Sequence, residues 1–479
     1  MKIRTVALIF LLFMLPVALY VTFGTKHLAP VHQPKTVLKK PLPKVEPPKK
    51  TLDIATIKPI NLPIAQWTSD NGTPIYFVAT PGIPIVDISV TFNAGTARDG
   101  AKPGLATLCA NLLATGLNDG TTVEDILAQL EDTGAQYNVQ VDRDKTTLSL
   151  RSLSDPNRLN PTVALFANII TNPGFPETET TTLKNQVQVE LQQNLQQPAF
   201  IAKRAFYEAL YGNHPYAHSA TGNADSIASI DKSQLAEFHK QFFVAQNATI
   251  TIVGGISEAD AKFLTNQITQ KVASGKKADP LPNVTALTTF TEENISFPSE
   301  QTHILMGQPC AIQNDPDYFA LLLGNDILGG NGLQSRLFQD IRDKHGLVYS
   351  VRSILLQLQK PAPFVLSLQT KNAQSQQAIA LLKENLNRFI TAGPTDEEVI
   401  DAKSGFIRSL PLEISDNEKI TYFVSNLAFY QKPLDFLKTY VKNIDTVTTT
   451  QVKETFQKRI HPETMVLVTV GEIPKANPN

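Results

Sequence analysis

One segment of the chain occurs twice: Gln234–Ile256 reads QLAEFHKQFFVAQNATITIVGGI, and Gln451–Ile473 reads QVKETFQKRIHPETMVLVTVGEI. Both copies predict an amphipathic helix that leads into an apolar strand and then into glycine. The two copies align without a gap at an offset of 217 residues. Upstream, Pro176 and Pro394 each precede acidic residues and a long helical stretch, at an offset of 218. Self-similarity over so long a period predicts a duplicated domain.

The sequence on either side of the repeat favours an α/β (α+β) fold. Ile83–Phe92 alternates like a half-buried strand, and Thr178–Leu210 reads mostly as helix. We therefore expect two homologous mixed-sheet domains with helices packed on one face, at 61–275 and 288–475. Between them, Ser274–Leu287 contains Gly-Lys-Lys and two prolines, which is typical of a boundary.

Composition excludes several classes of protein. The formal net charge is -1, so no bulk electrostatic attraction to nucleic acid is expected. The two cysteines, Cys109 and Cys310, lie far apart, which predicts neither a disulfide framework nor a cysteine-based zinc knuckle. Two buried free thiols are the simpler interpretation.

Residues 1–24 predict a signal anchor, because Lys2 and Arg4 precede an uncharged run long enough to cross a bilayer. The basic residues would keep the N-terminus in the cytoplasm. In a Gram-negative bacterium the rest of the chain would then be periplasmic and tethered to the inner membrane. The alternative is a cleaved signal peptide and release into the periplasm, with a weak cleavage site at Thr22 and Gly24.

Residues 25–60 are rich in proline and lysine. Such a segment favours extended polyproline II and cannot pack a core. It predicts a stalk between the anchor and the body, whose lysines could also touch anionic headgroups. A plain solvated linker is the alternative.

Several short motifs occur in order along residues 60–475. They are Ala94–Asp99 with Gly104–Ala106, Leu210–Tyr216 followed by Gly222 and Ser226–Ile227, and Ser335–Gln339 with Arg342, Gly346–Leu347 and Tyr349–Ser350. Together they resemble the pitrilysin/insulinase (inverzincin) family of zinc peptidases. This resemblance implies two similar α/β domains arranged like a clam, with a cleft between them.

The zinc motif of that family, His-x-x-Glu-His, is degenerate in this chain. Thr107 and Asn111 stand where the two histidines belong, and Ala110 stands where the general base belongs. Glu190 matches the position of the third ligand. Because hydroxyl and amide groups are weak zinc ligands, we expect no zinc and no catalytic residue in this chain.

Histidine spacing suggests no replacement site. His214 and His218 are four residues apart, but no acidic residue lies between them and the family has a loop there. No phosphate-binding loop, dinucleotide-binding fingerprint or nucleophile elbow occurs.

Arg342 and Tyr349 match, at the family's spacing, an arginine and a tyrosine that reach into the cleft of active relatives. The resemblance implies that they bind substrate near the scissile bond, where such donors stabilise an oxyanion. A surface arginine and a core tyrosine are the simpler alternative.

We therefore expect a non-catalytic, substrate-binding subunit of a heterodimeric zinc peptidase, inactive alone, which completes the site of a zinc-bearing partner of the same family. The substrates would be periplasmic peptides. One alternative is a non-proteolytic binding or scaffold protein of the same fold. Another is an active peptidase with a divergent site, against which Ala110 argues most strongly.

Overall fold

The computed structural model describes residues 60–472. The predicted anchor at 1–24 and the linker up to residue 59 lie outside the described residues. Within 60–472, no helix combines the length and apolar character needed to cross a membrane.

The first half of the described chain forms a six-stranded sheet with the strand order β1-β2-β6-β3-β5-β4. Its strands are β1 Ile64–Thr68, β2 Pro74–Ala79, β3 Ile85–Phe92, β4 Gln136–Val141, β5 Thr146–Leu153 and β6 Ala248–Gly254. Its helices are α1 Leu105–Leu112, α2 Val123–Thr133, α3 Pro156–Thr171, α4 Glu177–Asn194, α5 Pro198–Tyr211, α6 Ala224–Ser229, α7 Lys232–Phe242 and α8 Glu258–Thr269.

The second half forms a five-stranded sheet with the order β7-β11-β8-β10-β9. Its strands are β7 Thr291–Ile295, β8 Gln301–Ala311, β9 Val348–Leu355, β10 Ala362–Lys371 and β11 Val466–Val470. Its helices are α9 Tyr318–Asn325, α10 Ser375–Ala392, α11 Asp396–Ser409, α12 Asn417–Phe429, α13 Phe436–Asp445 and α14 Thr449–Arg459.

The two sheets repeat one topology. The order β2-β6-β3-β5-β4 recurs as β7-β11-β8-β10-β9, and in each sheet only the first of these pairs is parallel. The sequence repeat coincides with α7–β6 and α14–β11. This agreement supports the duplication, while the exact bounds 61–275 and 288–475 and the clam-like opening stay predictions.

The structure explains why a glutamine and a glycine are identical in the two copies of the repeat. Gln234 and Gln451 each occupy the third position of a helix and accept a hydrogen bond from the backbone of the N-cap residue, which completes a capping box. Gly254 ends β6 and Gly471 directly follows β11, and at each position a Cβ would come within 2.8 Å of the backbone of the neighbouring strand. Glycine is required there because the two backbones approach so closely.

The prediction that helices pack on one face of each sheet is incomplete, since one helix from the opposite half covers the other face. Helix α5 packs its apolar side on β8 and β11 of the second sheet, and α12 packs on β3 and β6 of the first. Strands β6 and β11 are consequently buried along their whole length. Sequence periodicity identifies the apolar face of a helix but not the sheet that this face covers. The sequence therefore does not predict that α5 and α12 each pack on the sheet of the opposite half.

Candidate functional site

The degenerate zinc motif lies on α1, where its polar groups are already engaged. Thr107 Oγ1 donates a hydrogen bond to the carbonyl of Ala220 at 2.6 Å, and Asn111 Nδ2 donates to the carbonyl of Thr107 at 2.8 Å. Ala110 is completely buried in the core. The motif positions thus hold α1 in place and offer no imidazole to a metal.

Glu190 lies on α4, which packs against α1, so the fold brings all four predicted positions to one pair of helices. Glu190 is half-buried. Zinc prefers imidazole, thiolate and carboxylate ligands in a tetrahedral set, and a single carboxylate beside a hydroxyl and an amide does not fit that preference. Among residues 60–472, no cluster of three or more histidine, cysteine or acidic side chains could hold a metal ion.

Asp99 has a structural role that the sequence motif did not reveal. Its two carboxylate oxygens accept hydrogen bonds from the backbone N–H groups of Gly104 and Ala106, both at 2.7 Å, at the start of α1. Burial raises the pKa of Asp99 to about 7, although these two hydrogen bonds act in the opposite direction. The spacing of Asp99 and Gly104 is therefore explained by these hydrogen bonds at the start of α1 and needs no catalytic role.

His214, considered as a metal ligand, uses both ring nitrogens within the fold. Its Nδ1 accepts a hydrogen bond from the backbone N–H of Tyr216, so Nε2 carries the proton and donates to the carbonyl of Pro282 at 3.1 Å. Burial lowers the pKa of His214. The neutral imidazole thus anchors the loop after α5.

Arg342 and Tyr349 lie side by side. Arg342 belongs to the π-helical segment Phe338–Lys344, and Tyr349 is the second residue of β9. Gly346, at φ 63°, turns the chain between them. The guanidinium carbon of Arg342 lies 5.8 Å from the centre of the Tyr349 ring and 4.4 Å from that of Phe338.

Both side chains of this pair are available to a ligand. Tyr349 is 78% exposed, and the Arg342 side chain is 36% exposed. The only acidic partner of Arg342 within the described chain is Asp343, at 3.8 Å, which is too long for a hydrogen bond. The alternative of a core tyrosine is therefore wrong, because an aromatic ring that contributes to a core is buried.

A neighbouring arginine of the same motif is structural. Arg336 forms a bidentate ion pair with Glu398 of α11, with both contacts at 2.6 Å, and its guanidinium lies over the Phe389 ring. Asp340 accepts a hydrogen bond from Asn385 of α10. These contacts hold the π-helical segment against α10 and α11 and so fix the base from which Arg342 projects. Single-turn π-helices of this kind occur frequently at functional sites.

Two family models match most of the described chain. Residues 75–224 match the insulinase (peptidase family M16) model, and residues 229–406 match the peptidase M16 inactive domain. The crystal structure of a peptidase M16 inactive domain from Pseudomonas fluorescens superposes with a TM-score of 0.84 at 32% identity, covering 87% of this chain and 100% of that one. This chain belongs to the M16 insulinase family.

Curated relatives are more distant. The non-peptidase homolog YmxG of Helicobacter pylori is 26% identical over 388 residues, which cover 80% of this chain and 88% of the relative. The uncharacterized zinc protease YmxG of Bacillus subtilis is 24% identical over 363 residues, covering 75% and 86%. The family thus includes relatives named as proteases and relatives named as non-peptidases.

Proposed function

We propose that this protein is the non-catalytic, substrate-binding subunit of a heteromeric zinc-dependent peptidase that acts on peptides in the periplasm. The zinc would be held by a partner subunit of the same family, and the predicted N-terminal helix would tether the complex to the inner membrane. The observation that carries this proposal is the exposed Arg342–Tyr349 pair in a chain whose zinc-motif positions are Thr107, Ala110 and Asn111.

The chemistry of the pair suits a carbonyl that is under attack. Arg342 offers N–H donors with a fixed positive charge, and Tyr349 offers an O–H donor. Donors placed around a developing oxyanion stabilise it more than they stabilise the ground-state carbonyl. Packing of Arg342 on the Phe338 ring orients the guanidinium before substrate arrives, which lowers the entropy lost on binding.

A membrane isolation of the full chain with its partner would test the proposal. The isolated complex should contain a chain with His-x-x-Glu-His and should show chelator-sensitive peptidase activity. Arg342→Ala or Tyr349→Phe should lower kcat/KM about 100-fold or more, as loss of one oxyanion donor does, without preventing assembly. Arg204→Ala serves as the matched control, because this arginine of α5 is similarly exposed but lies outside the pair.

Unchanged turnover in both variants of an intact, active complex would refute the role of the pair. A chain that is isolated alone and inert would instead favour the second candidate, a non-proteolytic binding or scaffold protein of the same fold. The relative named as a non-peptidase homolog supports that candidate.

A further inference from the structure

The face of the first sheet that α12 covers is divided. Along β2 and β6 it is apolar, where Tyr76, Val78 and Val253 pack against α12, and from β3 to β4 it is polar. Residues that lie opposite one another on β6, β3, β5 and β4 form rows of side chains on this face. One row is Thr251, Ser89, Ser149 and Asn138; the next is Thr249, Thr91, Thr147 and Gln140; and Asp87, Arg151 and Gln136 continue the pattern toward the other end.

The fold itself does not require this polarity. In the second sheet, Val468 and Leu305 pair on β11 and β8 at the positions equivalent to Thr251 and Ser89. Where α5 covers it, that face is apolar and packs against side chains such as Phe206, while Ser367 and Arg352 continue the same row on β10 and β9. At this pair of positions, the second sheet therefore has apolar side chains where the first sheet has hydroxyls.

Three hydroxyl groups on the polar face lack a partner. Ser89 Oγ, Thr251 Oγ1 and Ser425 Oγ are buried without a hydrogen bond among residues 60–472, and the last of them belongs to α12. A buried unsatisfied polar group typically costs about 1–3 kcal/mol. These oxygens are closed off from solvent, so they add to the polarity of the interface but are not contact points for a ligand; Ser89 and Ser425 belong to the lining of the cavity beside it.

A cavity of about 560 Å³ lies between this face and α12. Its volume is within the range of small-molecule sites, roughly 300–1,000 Å³. It lies on the face of the sheet opposite α1, and its nearest approach to β9 is at Gln357, beyond the strand end remote from Tyr349. The amide and hydroxyl groups of its lining come from Ser89, Gln136, Asn138, Gln140, Thr147, Ser149, Gln313, Gln357, Thr421, Tyr422, Ser425, Asn426 and Tyr430.

The charges that line the cavity balance. Three acidic residues face three basic residues, so no net charge selects an ion. Arg151 forms two hydrogen bonds with Asp87 and lies 3.3 Å from Glu418. The backbone groups of β3 and β5 are consumed by their ladders, so on these two strands only side chains can bind a guest, whereas β4 is the edge strand and pairs with β5 alone among the described strands. Exposed Tyr422 adds an aromatic surface among them.

We propose that this cavity binds a neutral, hydroxyl-rich molecule of the size of a monosaccharide or disaccharide. Amide and hydroxyl side chains both donate and accept hydrogen bonds, as a polyol does, and the Tyr422 ring suits the apolar face of a sugar. An extended peptide would bind through backbone hydrogen bonds at the free edge of β4 and not among the side chains of the cavity, so it is the competing class in the test. The proposal is independent of the Arg342–Tyr349 pair.

Titration calorimetry on the full chain, without any peptidase partner, would test this site. The probes are maltose, N,N′-diacetylchitobiose and, as the competing class, tetra-alanine. We expect at least one sugar to bind, and Ser149→Val to weaken it at least fivefold. Ser367→Val is the matched control, because Ser367 is the equivalent residue of the second sheet, opposite Leu305, and should leave the affinity unchanged.

Asn138→Ala provides a second variant at an exposed position of the edge strand β4, where folding should be unaffected, and it should also weaken sugar binding. The proposal is overturned if neither sugar binds, if only tetra-alanine binds, or if both site variants bind sugar like the parent chain. None of these outcomes affects the peptidase-subunit proposal, whose readout is hydrolysis by the complex.

Discussion

The two inter-half helices, α5 and α12, occupy equivalent positions on sheets of the same topology, but the surfaces that they cover differ in part. Under α5 the second sheet presents valine and leucine side chains, and the contact resembles an ordinary core. Under α12 the first sheet presents Tyr76, Val78 and Val253 along β2 and β6, but hydroxyl groups where β3 and β6 pair, beside a polar cavity. Two copies of a duplicated fold can therefore keep one architecture while their surface chemistry diverges.

The largest effect is expected from the apolar contact. Phe206 of α5 is almost fully buried against the second sheet. Phe206→Ala should lower the free energy of unfolding by about 3–5 kcal/mol, because it removes buried apolar surface and leaves a cavity. Urea unfolding followed by circular dichroism would measure this. Ser425→Ala in α12 is the comparison variant and should cause no loss of stability, because it removes a buried hydroxyl without a hydrogen-bond partner among the described residues; equal losses in the two variants would contradict the contrast.

An intermediate effect is expected from the charge pair on the polar face. Arg151→Met leaves the carboxylate of Asp87 buried without its two hydrogen bonds, which should cost about 2 kcal/mol near pH 8. Burial raises the pKa of Asp87, and Arg151 partly offsets this, so the variant should raise the pKa further.

The pH dependence of this variant follows from the direction of the shift. A folded chain whose carboxyl has a raised pKa binds a proton more readily than the unfolded chain, so stability falls as pH rises through that pKa. The loss in the free energy of unfolding of Arg151→Met, relative to the parent chain, should therefore be smaller at pH 4.5 than at pH 8. Urea unfolding at the two pH values checks this, and a deficit that does not change would argue against a buried carboxylate.

The smallest effect comes from exchanging the equivalent residues Thr251 and Val468. Thr251→Val removes a buried hydroxyl that has no partner, so stability should stay the same or rise by up to about 1 kcal/mol. Val468→Thr places such a hydroxyl in the apolar copy and should cost about 1–3 kcal/mol. Thermal unfolding of both variants measures the asymmetry, and a loss on Thr251→Val would indicate that this hydroxyl is already satisfied.

Much of the fold was predictable from local pattern. The repeat predicted the helix–strand units α7–β6 and α14–β11, because capping residues, apolar alternation and close-approach glycines are all local signals. The sequence also predicted the proximity of Arg342 and Tyr349, but only through resemblance. Their contact depends on the turn at Gly346 and on the exposure of Tyr349, which spacing alone does not establish.

Other features left no readable local signal. The alternating polar residues of β4 and β5 are typical of strands with one face in solvent. The cavity on that face is lined on its other side by residues of α12, from a segment about 270 residues further along. The burial of the Ser89 and Ser425 hydroxyls without a hydrogen bond depends on the packing of α12 against β3, which the sequence pattern does not show.

The α/β class, the duplication, the loss of the zinc motif and the presence of Arg342 and Tyr349 follow from the amino-acid sequence alone, because each depends on residue identity at short or regular spacing. The sheet that each helix covers, the exposure of Tyr349 and the polar cavity beside α12 depend on the tertiary structure. These properties arise from contacts between residues distant in sequence, where burial and partnership are set by the packing of whole elements and not by local propensity.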